Sequence, residues 1–210
     1  YKRQMEQRSD FEKLIRQRRV DYHFQPIVSA HDGHVVAYEA LMRPQLPTLR
    51  SPLTVMQLAS EMGRLYDIEK LTFFRACECY EELEAAGKLD ADALIFVNSI
   101  ASVSLSDEDW ASYCEAHSAI LPKLVVEITE EEEMNERELE RKRNVPGSSG
   151  VFALDDYGSG YSNELNLLEL SPRYIKIDIS IVRGIDTDRD KQPVSYTHLR
   201  AHETVLDLVC

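Results

Sequence analysis

The chain has 210 residues, of which 43% are hydrophobic, and this is enough to bury the core of one domain. It has 24 basic and 37 acidic residues and a net charge of -13, which argues against a protein that binds a nucleic-acid backbone by charge neutralisation. No apolar stretch approaches the roughly 18 residues of a membrane span. The four cysteines lack the spacing of a metal site, so we expect a protein of the reducing cytoplasm.

The N-terminal part of the chain predicts a helix, a β-hairpin and two further helices. Residues 1–20 are charged, with apolar residues at helical spacing, and form either a linker helix from a preceding domain or a plain N-terminal helix. Strands at 22–28 and 35–41 flank the turn-forming pair Asp32-Gly33 and should run antiparallel. Helices follow at residues 52–62 and 68–86, and Gly87 is a suitable stop for the second.

The remainder of the chain alternates strands with helices. This alternation predicts a largely parallel sheet covered by helices, as in a βα barrel. A barrel usually needs about 250 residues and eight strands, so about six strands make an incomplete one. The strands are expected at residues 94–97, 124–128, 151–154 and 174–177, and the helices at 107–117 and 131–143.

Polar side chains stand at or near the ends of the apolar strand segments. Glu39, Asn98, Glu127 and Asp155 offer carboxylate and amide oxygens, the donors that Mg²⁺, Mn²⁺ or Ca²⁺ prefer. In a βα barrel such residues meet at the carboxyl ends of the strands. We therefore expect one cation site, and Asp156 beside Asp155 makes a second cation feasible.

Two cations of this kind could bridge a phosphate, activate a water and stabilise a leaving alkoxide, as in phosphodiester hydrolysis. Lys176, on the neighbouring strand, could orient the water or offset developing charge. For any one carboxylate, a helix cap or a solvent-exposed position is an equally good interpretation; the convergence of several is what favours a site. The acidic run at residues 130–133 instead predicts a solvated helix N-terminus.

Five segments of the chain carry specific motifs in a fixed order. The first is YEALMRP, which contains Glu39-Ala40-Leu41 and follows FQPIV, and the others are FVNSI, VVEITE, ALDDYGSGYS and YIKIDISIV. In this order they resemble the EAL family of bacterial cyclic di-GMP phosphodiesterases, whose signature is Glu39-Ala40-Leu41. Together they extend over most of the chain, so the resemblance is far more specific than the three letters of the signature.

The resemblance implies a TIM-like (β/α)8 barrel with one antiparallel strand, which hydrolyses cyclic di-GMP to linear pGpG with Mg²⁺ or Mn²⁺. By position, the metal ligands are Glu39, Asn98, Glu127 and Asp155, with Asp156 on the second cation, and Lys176 orients the water. Gln25 and Arg43 match positions that contact the ligand. The loop at residues 156–162 resembles one linked to homodimerisation. We also expect a sensor or cyclase-like domain upstream, or a membrane anchor.

The C-terminal end departs from the family pattern. No EGVE-like segment follows the strand at Lys176, and residues 193–210 resemble translated adapter sequence. We therefore divide the chain into a linker helix (1–20), a partial EAL domain (21–192) and a non-native tail (193–210), and expect little hydrolysis from the chain as it stands. An inactive cyclic di-GMP receptor is the alternative to an enzyme, and a scaffold for protein interaction is a third hypothesis.

Overall fold

The computed structural model describes residues 2–129, 135–158, 170–184 and 207–209. All six predicted strands are present in it, most of them longer than predicted. A seventh short strand lies within the segment predicted to be non-native. The strands are β1 Val20–Val28, β2 Val35–Pro44, β3 Leu94–Asn98, β4 Leu124–Thr129, β5 Val151–Tyr157, β6 Tyr174–Ile177 and β7 Asp207–Val209.

The strands form one sheet in sequence order, from β1 to β7. β1 and β2 pair antiparallel, as predicted, and every later pair is parallel. Gly33 has a positive φ of 75°, which a glycine adopts readily, and this closes the hairpin turn. Within the described residues β1 and β7 remain the two ends of the sheet, consistent with an incomplete barrel.

Five helices of eight or more residues accompany the sheet in the described ranges, at the predicted places. The helix predicted at residues 131–143 begins at Glu136, and the acidic run at 130–133 lies outside the described residues. Among the helices that the structure describes, none combines the length and apolar composition needed to cross a bilayer. The helices are α1 Lys2–Gln17, α2 Pro52–Glu61, α3 Leu65–Ala85, α4 Asp107–Ala116 and α5 Glu136–Arg143.

One face of α1 belongs to the core. Phe11 and Leu14 lie three residues apart on the same helical face, and both are fully buried. Asp10 accepts a hydrogen bond from Thr48, and Glu12 pairs with Arg64 at the start of α3. The first helix is therefore packed against the domain along one side rather than solvated all round.

The sheet separates two layers of apolar side chains. The larger cluster lies between the sheet and the helices and includes Ile95 and Val97 of β3. The smaller cluster lies on the other face, inside the curved sheet, and contains Phe96 of the same strand. Because successive side chains of a strand point to opposite faces, this alternation fixes which residues reach the interior. The inner cluster consists of Ile27, Ala37, Phe96, Val125 and Ala153, with Tyr174 packed against it.

Candidate metal centre

Most of the candidate site residues lie on the same face of the sheet as the inner cluster, two residues closer to the carboxyl ends of the strands. Residues two apart on a strand share a face, and five of the candidates follow an inner-cluster residue, or Tyr174 packed against it, by two positions. The sequence thus places these polar side chains inside the sheet at the carboxyl ends of the parallel strands. The pairs are Ala37 with Glu39, Phe96 with Asn98, Val125 with Glu127, Ala153 with Asp155, and Tyr174 with Lys176.

Three of the predicted carboxylates meet. One oxygen from each of Glu39, Glu127 and Asp155 lies within 4.8 Å of the other two. The ammonium Nζ of Lys176 lies 3.1 Å from Glu39 Oε2, 2.5 Å from Glu127 Oε1 and 3.1 Å from Asp155 Oδ1. The lysine therefore neutralises part of the charge of this carboxylate cluster.

The contact between Glu39 and Lys176 requires a strongly curved sheet. Their strands, β2 and β6, are separated by β3, β4 and β5. In a flat sheet four strand spacings amount to about 19 Å, well beyond the reach of two side chains. The observed 3.1 Å means that the strands curl around a common axis, as in a barrel.

Glu127 is the most deeply buried member of the cluster, with none of its surface exposed. Burial raises its pKa to about 8; Lys176 opposes the shift, and the charges of Asp155 and Glu39 reinforce it. For Lys176, burial lowers the pKa, but the three facing carboxylates outweigh burial and raise it above its ordinary value. The cluster thus holds more negative charge than one ammonium balances.

The donors fit a hard divalent cation. Neither carboxylate oxygen of Glu127 accepts a hydrogen bond with good geometry from the described residues; Oε1 makes only the close ionic contact with Lys176. Buried polar atoms are normally satisfied, so the Oε2 lone pairs point to a missing positive partner. Carboxylate oxygens are the donors that hard divalent cations prefer.

A bulge brings Asp155 and Asp156 to the same cavity. The pairing of β5 with β6 shifts register between Leu154 and Tyr157. Asp156 has a φ of 55°, a left-handed conformation that aspartate tolerates better than most residues, and its N–H donates to Asp155 Oδ1 at 2.9 Å. Consecutive strand residues would otherwise point to opposite faces, so the bulge is what lets both line the cavity.

The cavity at the strand ends has both polar and apolar lining residues. Asn98, Glu39, Asp155 and Asp156 line it together with Arg43. Its apolar lining residues are Tyr22, Ala40, Leu41, Met42, Pro52, Met56, Ile68 and Ile100.

The two predicted ligand contacts differ in their placement. Arg43 lines the cavity, where its Nε donates to His23 Nδ1 at 3.2 Å and its Nη1 donates to the Met42 carbonyl at 2.9 Å. Gln25 lies opposite Glu39 across the β1–β2 pair and is exposed. It is not among the described residues that line the cavity, and its proposed contact with a ligand stays a prediction.

Sequence reasoning missed a buried ion pair behind the cavity. Glu69 of α3 and Lys142 of α5 are each 1% exposed and contact one another. Glu69 lines the same cavity as Asn98. A signal was present, since Glu69 directly follows Ile68 on the buried face of α3, and Lys142 lies three residues after the buried Leu139.

The EAL domain family model matches residues 8–208. Among curated relatives, the probable cyclic di-GMP phosphodiesterase PdeG of Escherichia coli K12 is 29% identical over 192 residues, which cover 88% of this chain but 36% of PdeG. The chain therefore spans little more than a third of that relative's length.

Solved structures share the fold. The PaMucR phosphodiesterase in complex with c-di-GMP superposes with a TM-score of 0.76 at 24% identity, over 95% of this chain and 83% of that one. The BlrP1 manganese and cy-diGMP complex from Klebsiella pneumoniae gives a TM-score of 0.72 at 22% identity, over 90% and 48% of the two chains. At these identities the likeness establishes the fold.

Proposed function

Because the chain belongs to the EAL domain family, we propose that its site serves the hydrolysis of cyclic di-GMP to linear pGpG. The observation that carries the proposal is the meeting of Glu39, Glu127 and Asp155 within 4.8 Å at the strand ends. Relatives named as cyclic di-GMP phosphodiesterases support the choice of substrate.

We infer that Glu39, Asn98, Glu127 and Asp155 hold a Mg²⁺ or Mn²⁺ ion and that Asp156 contributes to a second. A structural neighbour recorded with manganese and cy-diGMP supports this metal class. When bound, such cations supply a polarised water and stabilise charge on the phosphate and on the leaving alkoxide. The bulge that turns Asp156 toward the cavity supports its role beside Asp155.

Lys176 and Arg43 are assigned the remaining polar roles. Lys176, held by three carboxylates, has an ammonium that can donate a hydrogen bond to the attacking water and fix its direction. Arg43 is oriented by His23 and by the Met42 carbonyl, which leaves further guanidinium N–H groups to donate to a phosphate oxygen. The apolar lining residues of the cavity suit the faces of guanine bases.

The setting of the domain is proposed from its relatives. The chain covers 36% of PdeG, so we infer that it works as the cytoplasmic phosphodiesterase part of a larger protein with an upstream sensor or cyclase-like domain. We also propose a homodimer. Most of the loop at residues 156–162 lies outside the described residues, as does most of the 193–210 segment; the non-native origin of that segment stays a prediction.

Turnover of cyclic di-GMP with Mn²⁺, followed by chromatographic detection of pGpG, tests the proposal on this chain and on the larger protein proposed to contain the domain. We expect efficient turnover by the larger protein, abolished by Glu127→Gln, and little by this chain. Tight binding without turnover in the larger protein would favour a receptor instead. Absence of both would contradict the proposal.

A further inference from the structure

A buried hydrogen-bonded network forms part of the cavity wall and joins three elements. Lys142 Nζ, from α5, contacts Glu69 Oε1, from α3, and donates to Ser99 Oγ at 2.7 Å. The Ser99 hydroxyl in turn donates to Glu69 Oε1 at 2.6 Å. Both charged side chains are 1% exposed, and Glu69 and Ser99 also border the cavity.

The network is attached to the backbone that leaves Asn98. Ile100 N–H donates to Glu69 Oε2 at 2.9 Å, and Ser99 N–H donates to the Glu127 carbonyl at 2.9 Å. These are the first two residues after Asn98. The loop is therefore held from one side by the strand that carries Glu127 and from the other by the Glu69 carboxylate.

A contribution to folding stability does not explain why Glu69 and Lys142 form a buried ion pair. Desolvation of two charges opposes folding, and replacement of a buried ion pair by apolar residues of similar size is often neutral or stabilising. What an apolar pair could not do is accept the Ile100 N–H or engage the Ser99 hydroxyl. The ion pair thus fixes the orientation of the loop after Asn98 more than it stabilises the core.

We propose that Glu69 and Lys142 are positioning residues that act through Ser99 and Ile100 to hold the Asn98 amide toward the cation site. This inference rests on the proposed metal-dependent function. Hydrogen-bonding partners behind metal ligands commonly set the orientation of those ligands, and their loss weakens metal binding by roughly 10- to 100-fold.

The test compares Mn²⁺ affinity with thermal stability in the double variant Glu69→Met/Lys142→Met. Calorimetric titration should give an Mn²⁺ Kd about 10- to 100-fold above that of the unsubstituted chain. The Tm should stay within about 4 °C of the Tm of the unsubstituted chain, since no unpaired charge is left behind. The matched control is Glu84→Met/Lys123→Met, a half-buried ion pair at 2.7 Å whose residues do not line the cavity; its Mn²⁺ Kd should be unchanged.

Ser99→Ala is the second variant, and it decides the matter if the double variant does not fold. It removes the hydroxyl but leaves the Ile100 contact with Glu69, so we expect a smaller loss of Mn²⁺ affinity, about 3- to 10-fold. An unchanged Mn²⁺ Kd in the double variant overturns the positioning role but not the metal site. If only Ser99→Ala folds, an unchanged Mn²⁺ Kd in that variant has the same meaning. If the unsubstituted chain binds no Mn²⁺, the proposed metal site is wrong and this inference falls with it.

Discussion

The ammonium of Lys176, on β6, lies 2.5 Å from a carboxylate oxygen of Glu127, on β4, although β5 separates the two strands in the sheet. Both side chains point into the curved interior, and Lys176 also reaches Glu39 and Asp155. One cation is thus shared among three acids. The charge left over supports the proposed binding of a further cation, and the following predictions depend on that balance.

Lys176→Met should destabilise the metal-free chain. It leaves three neighbouring, largely buried carboxylates without their ammonium. Loss of one partner from a buried ion pair should cost about 3 kcal/mol, or a Tm lower by roughly 6–12 °C. Added Mn²⁺ should raise the Tm of this variant by more than it raises the Tm of the unsubstituted chain. Thermal unfolding in EDTA and in Mn²⁺ measures both effects.

The control for that change is Lys70→Met. Lys70 pairs with Asp109 at 2.8 Å but is half-exposed, so its loss should cost no more than about 1 kcal/mol and should not respond to Mn²⁺. Equal Tm losses in the two variants, both insensitive to Mn²⁺, would contradict the assignment of Lys176 to a cation-seeking cluster.

Glu127→Gln should abolish most Mn²⁺ binding while the fold persists. The amide has nearly the shape of the carboxylate but lacks its charge, and we expect the Mn²⁺ Kd to rise at least about 100-fold, since Glu127 is proposed as a direct ligand. Calorimetric titration measures the change. Glu82→Gln on the exposed side of α3 serves as the control, and similar Kd values in both variants would refute the ligand role.

The left-handed conformation of Asp156 predicts different outcomes for two substitutions. Asparagine tolerates a φ of 55°, whereas alanine is strained there, so Asp156→Ala should be less stable than Asp156→Asn by about 1 kcal/mol. Urea unfolding compares the two. Both variants should bind the second cation poorly, because both lack the carboxylate. A stability difference between them therefore reports backbone strain and not ligation. Equal stabilities would argue against the bulge geometry.

Arg43→Ala should weaken the binding of cyclic di-GMP. Loss of a charge-assisted hydrogen bond to phosphate is expected to cost about 1.5–3 kcal/mol, or roughly 10- to 150-fold in Kd. Arg18→Ala is the control, because Arg18 pairs with Glu78 and does not line the cavity. Unchanged ligand affinity after loss of Arg43 would remove this residue from the site.

Much of the fold follows from local patterns. The apolar runs place β2 to β6, and Asp32-Gly33 predicts the hairpin that the structure contains. Because parallel strands end at one edge of a sheet, a residue such as Glu127 could be proposed for the site from its position alone. The helix at α5 was predicted to begin earlier than its described start at Glu136.

The tertiary structure decided what depends on distant residues. The Glu69 and Lys142 side chains are 73 positions apart and meet only because α3 and α5 pack behind the same loop. The turn of Asp156 toward the cavity depends on a register shift between β5 and β6.

The sequence by itself determined which strands exist and which polar residues end them, since alternation along a strand is a local property of two-residue period. Only the tertiary structure decided that Lys176 sits among Glu39, Glu127 and Asp155. That placement depends on sheet curvature, which arises from the packing of all the strands and helices together.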